Sequence, residues 1–408
     1  MEEELKPRSQ ALRGMIPEYL LLISVVFIFW TFAGYPIALI ILSKIIQYRC
    51  RKSMNRDVNY TPTVSIIIPT YNEESVIEKK LRNCLELDYP EDKLEILVVD
   101  SSTDLTPIIV KEYEKRYKNI KLIREDMRRG KASAINYAIS HAHGEFIVVT
   151  DANAFVDKHS LRMMIQHFID RDIGAVEANF VISNAQQSII ASKESDFRRF
   201  ENLLRTIESL IDSTVGVVGE LSIFRRDIIT NLKFDTNSLA EDLEISIRIR
   251  KNGLKILHES NAVVYENAPL TIKEGIIQKK RRTIGTIQSL VKHKDVIFNP
   301  KYGFYGVLIL PSHKLFQVIS PLFFALLIIS SYTCLLFGNP LGLIFYVALS
   351  LMILSIIGLL TLKFEVSQVI FNTLGYFLLN QLIVIQAWIS FLSKRYTVTW
   401  ELVKSTRL

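Results

Sequence analysis

Uncharged, apolar residues run unbroken from Tyr19 to Ser43 (YLLLISVVFIFWTFAGYPIALIILS). A helix that crosses a membrane needs about 20 such residues. The pattern therefore predicts a span over 17–48, after a short segment at 1–16. Pro36 inside it predicts a kink. A secretory leader has an apolar core of about 7–15 residues, and this run is too long for one. Three further runs close the chain: Leu315–Phe337, Leu341–Leu362 and Val366–Ser393. Gly338, Asn339 and Pro340 part the first two, and Lys363, Phe364 and Glu365 part the last two. They predict a bundle of about three membrane helices over 315–393, followed by a tail at 394–408.

Between these ends the apolar runs are short. Val64–Pro69 (VSIIIP), Leu94–Val99 (LEILVV) and Phe146–Val149 (FIVV) read as buried strands. Helical patterns lie between them at Glu74–Leu87, Leu105–Tyr117 and Lys131–His143. Alternating strands and helices predict an α/β domain over 62–270, its sheet mostly parallel and flanked by helices on both faces. Ligands of such sheets bind outside the carboxyl ends of the strands. Those ends deliver Thr70-Tyr71-Asn72-Glu73, then Asp100, then Asp151 and Asn153. Segment 271–314 reads as interfacial helices. Within it Tyr302–Leu310, ended by Pro311, fits a helix lying in the membrane interface and a buried soluble helix equally well.

Charge orients this arrangement. Lys44, Arg49, Arg51, Lys52 and Arg56 follow the first span and place the α/β domain in the cytoplasm. One span before the domain and three after it would put both termini outside. Lys394, Arg395, Lys404 and Arg407 in the tail argue for inside. A re-entrant segment among the last runs would remove the conflict. The net charge of +7 comes from residues flanking apolar runs, which suits an anionic membrane surface and not a nucleic acid. Cys50, Cys84 and Cys334 have neither zinc spacing nor a disulfide framework, as in a reducing compartment.

No GxGxxG follows a strand and no GxxxxGK[ST] is present, which argues against dinucleotide and ATP sites of those kinds. Phosphates would then rest on a divalent metal, and Asp151 offers it a hard carboxylate oxygen. A lone acid at a strand end is more often a turn or helix cap; Asp100 on the adjacent strand strengthens the metal reading. His141 and His143 fall on different helix faces and do not pair on a metal. Asn372, Asn380, Gln381 and Gln386 in the last run serve bonds between helices better than a passage.

Taken in order, the motifs resemble the membrane-integrated branch of glycosyltransferase family 2, which includes hyaluronan, cellulose and chitin synthases. SIIIPTYNEE (Ser65–Glu74) resembles its opening strand and loop, VVDSSTD (Val98–Asp104) its base-binding aspartate motif, and RRGKASAIN (Arg128–Asn136) its lysine loop. TDAN (Thr150–Asn153) sits where the metal-binding DxD belongs, AEDLEISIRIRKNG (Ala240–Gly253) resembles the TED motif, and QKKRR (Gln278–Arg282) resembles QxxRW. The resemblance implies a GT-A-type fold, an inverting transfer, and a nucleotide-sugar donor, uridine diphosphate being the family's commonest carrier. It implies donor contacts at Thr70, Tyr71, Glu73, Asp100, Lys131, Asp151, Gln278 and Arg281, with Mg2+ or Mn2+ on Asp151 and Asn153. Asp242 is then the general base. Gly219, Glu220, Glu241 and Arg282 lie on the acceptor side, as do the segments Phe197–Glu201 and Gly216–Glu220. The acceptor is a carbohydrate or a lipid, and the protein is a multi-pass cell-membrane enzyme.

Three residues depart from the family. Asn153 replaces the second acid of DxD, removing one charge but keeping a carbonyl oxygen. Arg282 replaces the tryptophan of QxxRW, which argues against long-polymer synthesis. Ala240 replaces the threonine of TED. Two other functions fit the same residues: transfer of one sugar to a lipid carrier, and a binding or scaffolding protein on a decayed transferase fold.

Overall fold

The computed structural model describes residues 2–49, 59–366, 368–397 and 403–407. Cys50, Arg51, Lys52 and Arg56 lie outside them. Helix α1 (Glu2–Phe29) takes in residues 2–16 of the segment expected at 1–16, passes through a wide π turn at Trp30–Gly34, and continues as α2 (Tyr35–Arg49). Pro36 has no N–H to donate, so the ladder opens in the turn before it. The π turn ends at Gly34, immediately before Tyr35-Pro36, where the kink is expected.

The soluble domain is built on strands β1 (Val64–Thr70), β2 (Leu94–Asp100), β3 (Ile120–Arg124), β4 (Phe146–Thr150), β5 (Phe155–Val156), β6 (Ile173–Ile182), β7 (Leu221–Arg225) and β8 (Lys255–Glu266). They form one sheet in the order β3-β2-β1-β4-β7-β6-β8-β5. The half β3-β2-β1-β4 is parallel throughout. Beyond β4 the sheet is mixed: β7 runs antiparallel to both β4 and β6, β6 is parallel to β8, and β5 is antiparallel to β8. The expectation of a mostly parallel sheet thus describes one half. Direction in the other half is set by long connections that a single strand's sequence does not encode.

Helices α3 (Ile77–Leu85), α4 (Thr106–Arg116), α5 (Lys131–Ile139), α6 (Ser160–Ile165), α7 (Ile189–Ile211), α8 (Arg226–Leu232) and α9 (Glu241–Lys251) surround this sheet. Alternate residues of a strand face opposite sides. Ile66, Ile68 and Val98 therefore join a core with Ile77 and Val110, while Ile67, Leu97 and Val99 join another with Ile135 and Ile245. Both faces are covered, so the central strands read as unbroken apolar runs. Each such side chain contributes about 1.5–3 kcal/mol by leaving water.

Helix α10 (Ile272–Lys292) follows, capped by Thr271, whose side chain accepts from the Glu274 N–H. The last helices are α11 (Phe316–Leu336), α12 (Ile344–Lys363) and α13 (Val369–Leu392). Among the described residues, four helical stretches are long and apolar enough to cross a membrane: Ile16–Ile46, Tyr305–Leu336, Pro340–Lys363 and Val369–Leu392. Pro311 does not end the segment before α11. Two π turns, Tyr305–Ile309 and Pro311–Leu315, carry the chain straight into it. Tyr305, Ile309 and Leu310 are fully buried, and Tyr305 donates to the Val215 carbonyl. This favours the buried helix over one lying in the interface. Helices α12 and α13 meet at Gly358 and Gly375, where an added Cβ would lie within 2.2 Å of facing backbone. Close approach through small residues is how apolar helices associate. Thr361 donates to Asn372 across this contact, Ser320 to Gln381 and Lys279 to Asn380, so three of the polar residues in the last run do bond between helices.

Candidate active site

Strands β1, β2 and β4 end on one edge, with Thr70 opposite Asp100. Thr70 donates to the Asp100 carboxylate at 2.8 Å, the Ser102 hydroxyl adds a second bond, and Arg124 pairs with it. Asp100 is fully buried, and its neighbours Ser101 and Glu125 reach the cavity beside it while Asp100 does not. The Arg128 guanidinium lies 3.8 Å above the Tyr71 ring, a cation–π stack. Asn72 turns the chain away from the strand at φ 55°.

At the end of β4, Lys80 clamps the turn that carries Asp151 and Asn153. It is fully buried and donates to Thr150 Oγ1 at 2.8 Å and to the Ala154 carbonyl. Burial pushes the Lys80 ammonium below the usual lysine range. From the opposite wall Lys131 reaches Asp151 Oδ1 at 2.5 Å and Glu241 Oε1 at 3.7 Å. Burial opposes its charge, but Asp151 and Glu241 outweigh that and hold Lys131 above the usual range. A cation already rests on Asp151. Beside it, Asn153 Nδ2 donates to Glu266 Oε1 at 2.8 Å. Burial, reinforced by Glu220 and Asp151, pushes the Glu266 carboxyl up to about 8.

Asp242 stands in the first turn of α9, half-buried, with Oδ1 accepting from the Leu243 N–H. Acidic residues are favoured at a helix N-terminus. Gly285 of α10 packs on the Ala240 backbone in front of it. Residues 278, 281, 282 and 285 share one helix face by their spacing. That face turns Gln278, Arg281 and Arg282 toward the cavity. Lys279 lines the cavity too, held by Glu194, Tyr376 and Asn380. Arg282 pairs with the buried Glu220 at 3.1 Å.

These walls enclose one cavity of about 550 Å³. Thr70, Tyr71, Glu73, Lys131, Asp151, Asn153, Gly219, Glu220, Glu241, Asp242, Gln278, Arg281 and Arg282 all line it, which is every expected site residue except Asp100. Phe197 and Glu201 of α7 line it too. The wall continues onto the apolar helices through Phe32, Gln317, Phe377, Asn380 and Gln381. Two charged residues that the sequence does not assign to the site also line it. One is Glu266. The other is Arg407, which pairs with Glu73 at 2.7 Å across 334 positions of sequence. Ser405 donates to Glu274 at 2.7 Å and fixes the tail there. Among the described residues, no three Asp, Glu, His or Cys side chains already form a complete metal site. Asp151 and Asn153 with the nearby Glu266 still offer hard oxygen donors, and the Lys131 ammonium shows that the spot accepts positive charge.

The sequence profile of glycosyl transferase family 2 matches residues 65–232. A Bacillus subtilis protein described as a probable glycosyltransferase is 31% identical over 271 residues, 60% of this chain and 62% of its own. A poly-beta-1,6-N-acetyl-D-glucosamine synthase of Staphylococcus epidermidis is 26% identical over 211 residues, 51% of each chain. A beta-monoglucosyldiacylglycerol synthase of Nostoc sp. is 26% identical over 246 residues, 59% of this chain and 53% of its own. The chain thus spans between half and two thirds of the length of these relatives. A mannosyltransferase from Pyrobaculum calidifontis, solved in complex with GDP-Man and Mn2+, superposes with a TM-score of 0.69 at 26% identity, over 92% of this chain and 100% of that one. The profile match covers β1 to α8, the part of the fold that carries the Asp151 turn and the Lys131 loop, and residues 65–232 thus form a glycosyl transferase family 2 domain.

Proposed function

We propose that this chain is an inverting glycosyltransferase of the cell membrane that moves one sugar from a nucleotide diphosphate sugar to a lipid-borne acceptor, with Asp242 as general base. One observation carries the reading. A single cavity wall runs from Thr70 and Asp151 at the strand ends, past Asp242, to Phe32, Phe377 and Val384 on apolar helices. A donor entering from water and an acceptor held by lipid can meet only in such a space.

In the transfer, Asp242 takes the proton of the acceptor hydroxyl. The oxygen bonds to the anomeric carbon from the face opposite the diphosphate. The bond from that carbon to the diphosphate oxygen breaks, and its electron pair leaves with the nucleoside diphosphate. Gln278 and Arg281 meet the diphosphate, arginine in two-pronged fashion. Asp151 and Asn153 would hold Mg2+ or Mn2+, which would supply positive charge against the leaving group. Lys131, 2.5 Å from Asp151 and 3.7 Å from Glu241, keeps positive charge beside both carboxylates. The mannosyltransferase solved with Mn2+ supports a divalent ion, and its GDP-Man makes guanosine as admissible a carrier as uridine.

Arg282 and Glu220 form a charged pair where processive relatives carry tryptophan, which favours single transfer over chain growth. The relatives include both a polysaccharide synthase and a glycolipid synthase, so polymer synthesis is the second reading. The test incubates membranes containing the protein with a panel of UDP- and GDP-sugars, scoring nucleoside diphosphate release and product mass. A lipid extract gaining one hexose mass agrees. A ladder of products supports the polymer reading, and no release with any donor leaves the decayed scaffold.

The same reading puts the soluble domain in the cytoplasm and lays α13 along it. Lys279 of α10 donates to Tyr376 and Asn380 of α13, and further along both helices Ile287 and Leu290 share a core with Ala387. Two helices that run side by side in the same direction stay at one depth. With α13 flat, three stretches cross, and the C-terminus returns to the side of the soluble domain. The Arg407–Glu73 pair supports that return.

A further inference from the structure

The departure at Asn153 has a partner. Its side-chain amide donates to Glu266 Oε1 at 2.8 Å, from the end of β4 to the end of β8. Glu266 is 6% exposed and lines the cavity beside Asp151. Its other oxygen, Oε2, is buried and has no hydrogen-bond partner among the described residues. A buried acceptor left unmade costs about 1–3 kcal/mol, and such an atom at a cavity wall marks a place for a ligand. Lys80 behind the turn and Lys131 in front of it place two ammonium groups around the turn that carries Asp151. An aspartate at 153 would set a second carboxylate directly against Glu266. An asparagine instead donates to it and fixes its orientation.

We propose that Glu266 supplies the carboxylate that Asn153 lacks, forming with Asp151 the acidic part of a divalent-cation site, and that residue 153 is an amide because it must hold Glu266 in place. The metal-binding strength of an intact two-acid motif is thereby kept with one acid moved to another strand. A magnesium- or manganese-type ion needs only one or two protein carboxylates, the rest of its shell coming from water and diphosphate oxygens. This inference rests on the metal-dependent reading above.

The experiment measures Mn2+ binding to the full-length chain in detergent, by the loss of free-ion electron paramagnetic resonance signal, with UDP and GDP added in turn. Variants are Glu266→Gln, Asn153→Asp and the double exchange, which restores one acid and one amide in swapped positions. Glu266→Gln is expected to weaken Mn2+ by about 10- to 100-fold, and the double variant to regain most of it. The metal-free melting temperature of each variant separates lost coordination from lost folding. Parent-like Mn2+ affinity in Glu266→Gln overturns the proposal while leaving the metal reading intact. A loss that the double exchange fails to restore, at unchanged melting temperature, overturns it too. If the parent binds no Mn2+ with either nucleotide, the metal reading itself falls.

Discussion

Gly285 of α10 lies so close to Ala240 that a Cβ on it would sit 2.5 Å from the Ala240 backbone nitrogen. That contact joins the helix bearing Gln278, Arg281 and Arg282 to the turn that begins α9 and presents Asp242. The distance between Arg281 and the proposed base is therefore set by an absent side chain. Replacing Gly285 by Val is expected to cost about 1–3 kcal/mol through overpacking. It is also expected to lower sugar transfer at least tenfold, since small misplacements near the chemistry cost about 10²-fold. Thermal unfolding in detergent and initial rates, measured on the same preparation, check both parts.

The Arg407–Glu73 pair leads to a second prediction. If α13 lies along the soluble domain, both that domain and the C-terminus face the cytoplasm. A protease-cleavable tag placed after Leu408 should be cut in inside-out vesicles and protected in sealed right-side-out ones. A tag before Met1 should behave in the opposite way. Cleavage of the C-terminal tag in right-side-out vesicles would mean that α13 crosses.

Glu244 of α9 gives the pH dependence of the same region. Burial pushes its carboxyl up, but bonds to His293 and Lys292 and the charge of Arg248 outweigh this and bring it down to about 2, from an ordinary 4.5. Lys292 Nζ lies 2.6 Å away and His293 Nε2 3.2 Å. A carboxyl lower in the folded state stabilises fully above its unfolded value. That contribution fades as pH falls from about 4.5 toward about 2. Glu244→Gln should lower stability at pH 7 by about 1–3 kcal/mol, with the gap to the parent closing through that acid window. Melting curves at pH 7, 5 and 3 check it; a gap that does not change with pH would contradict it.

Much of the cavity is legible in sequence because its residues occupy places with strong local patterns. Asp151 follows the buried run FIVVT, and Gln278, Arg281 and Arg282 share a helix face by spacing alone. Asp100 follows an equally clear run, yet Thr70, Ser102 and Arg124 absorb its carboxylate below the edge. Glu266 and Arg407 carry no such pattern. Glu266 ends a strand in YENAP, and only folding brings it beside Asn153. The departure at 153 was itself the available signal, since a missing acid invites a search for one at another strand end. Arg407 sits in a short polar tail whose neighbour is Glu73 at the other end of the soluble domain. Length and apolarity likewise make α13 look like a crossing helix. On the proposed reading, its side-by-side contact with α10 and the Arg407–Glu73 pair lay it flat instead.

The most direct measurement compares parent and Asp242→Asn for nucleoside diphosphate binding by calorimetry and for transfer of labelled sugar into lipid. Removing a general base costs about 10²–10⁴-fold. The account predicts a transfer rate lowered by that much, with nucleotide affinity within about threefold of the parent and normal membrane insertion. Transfer at the parent rate by Asp242→Asn would contradict it.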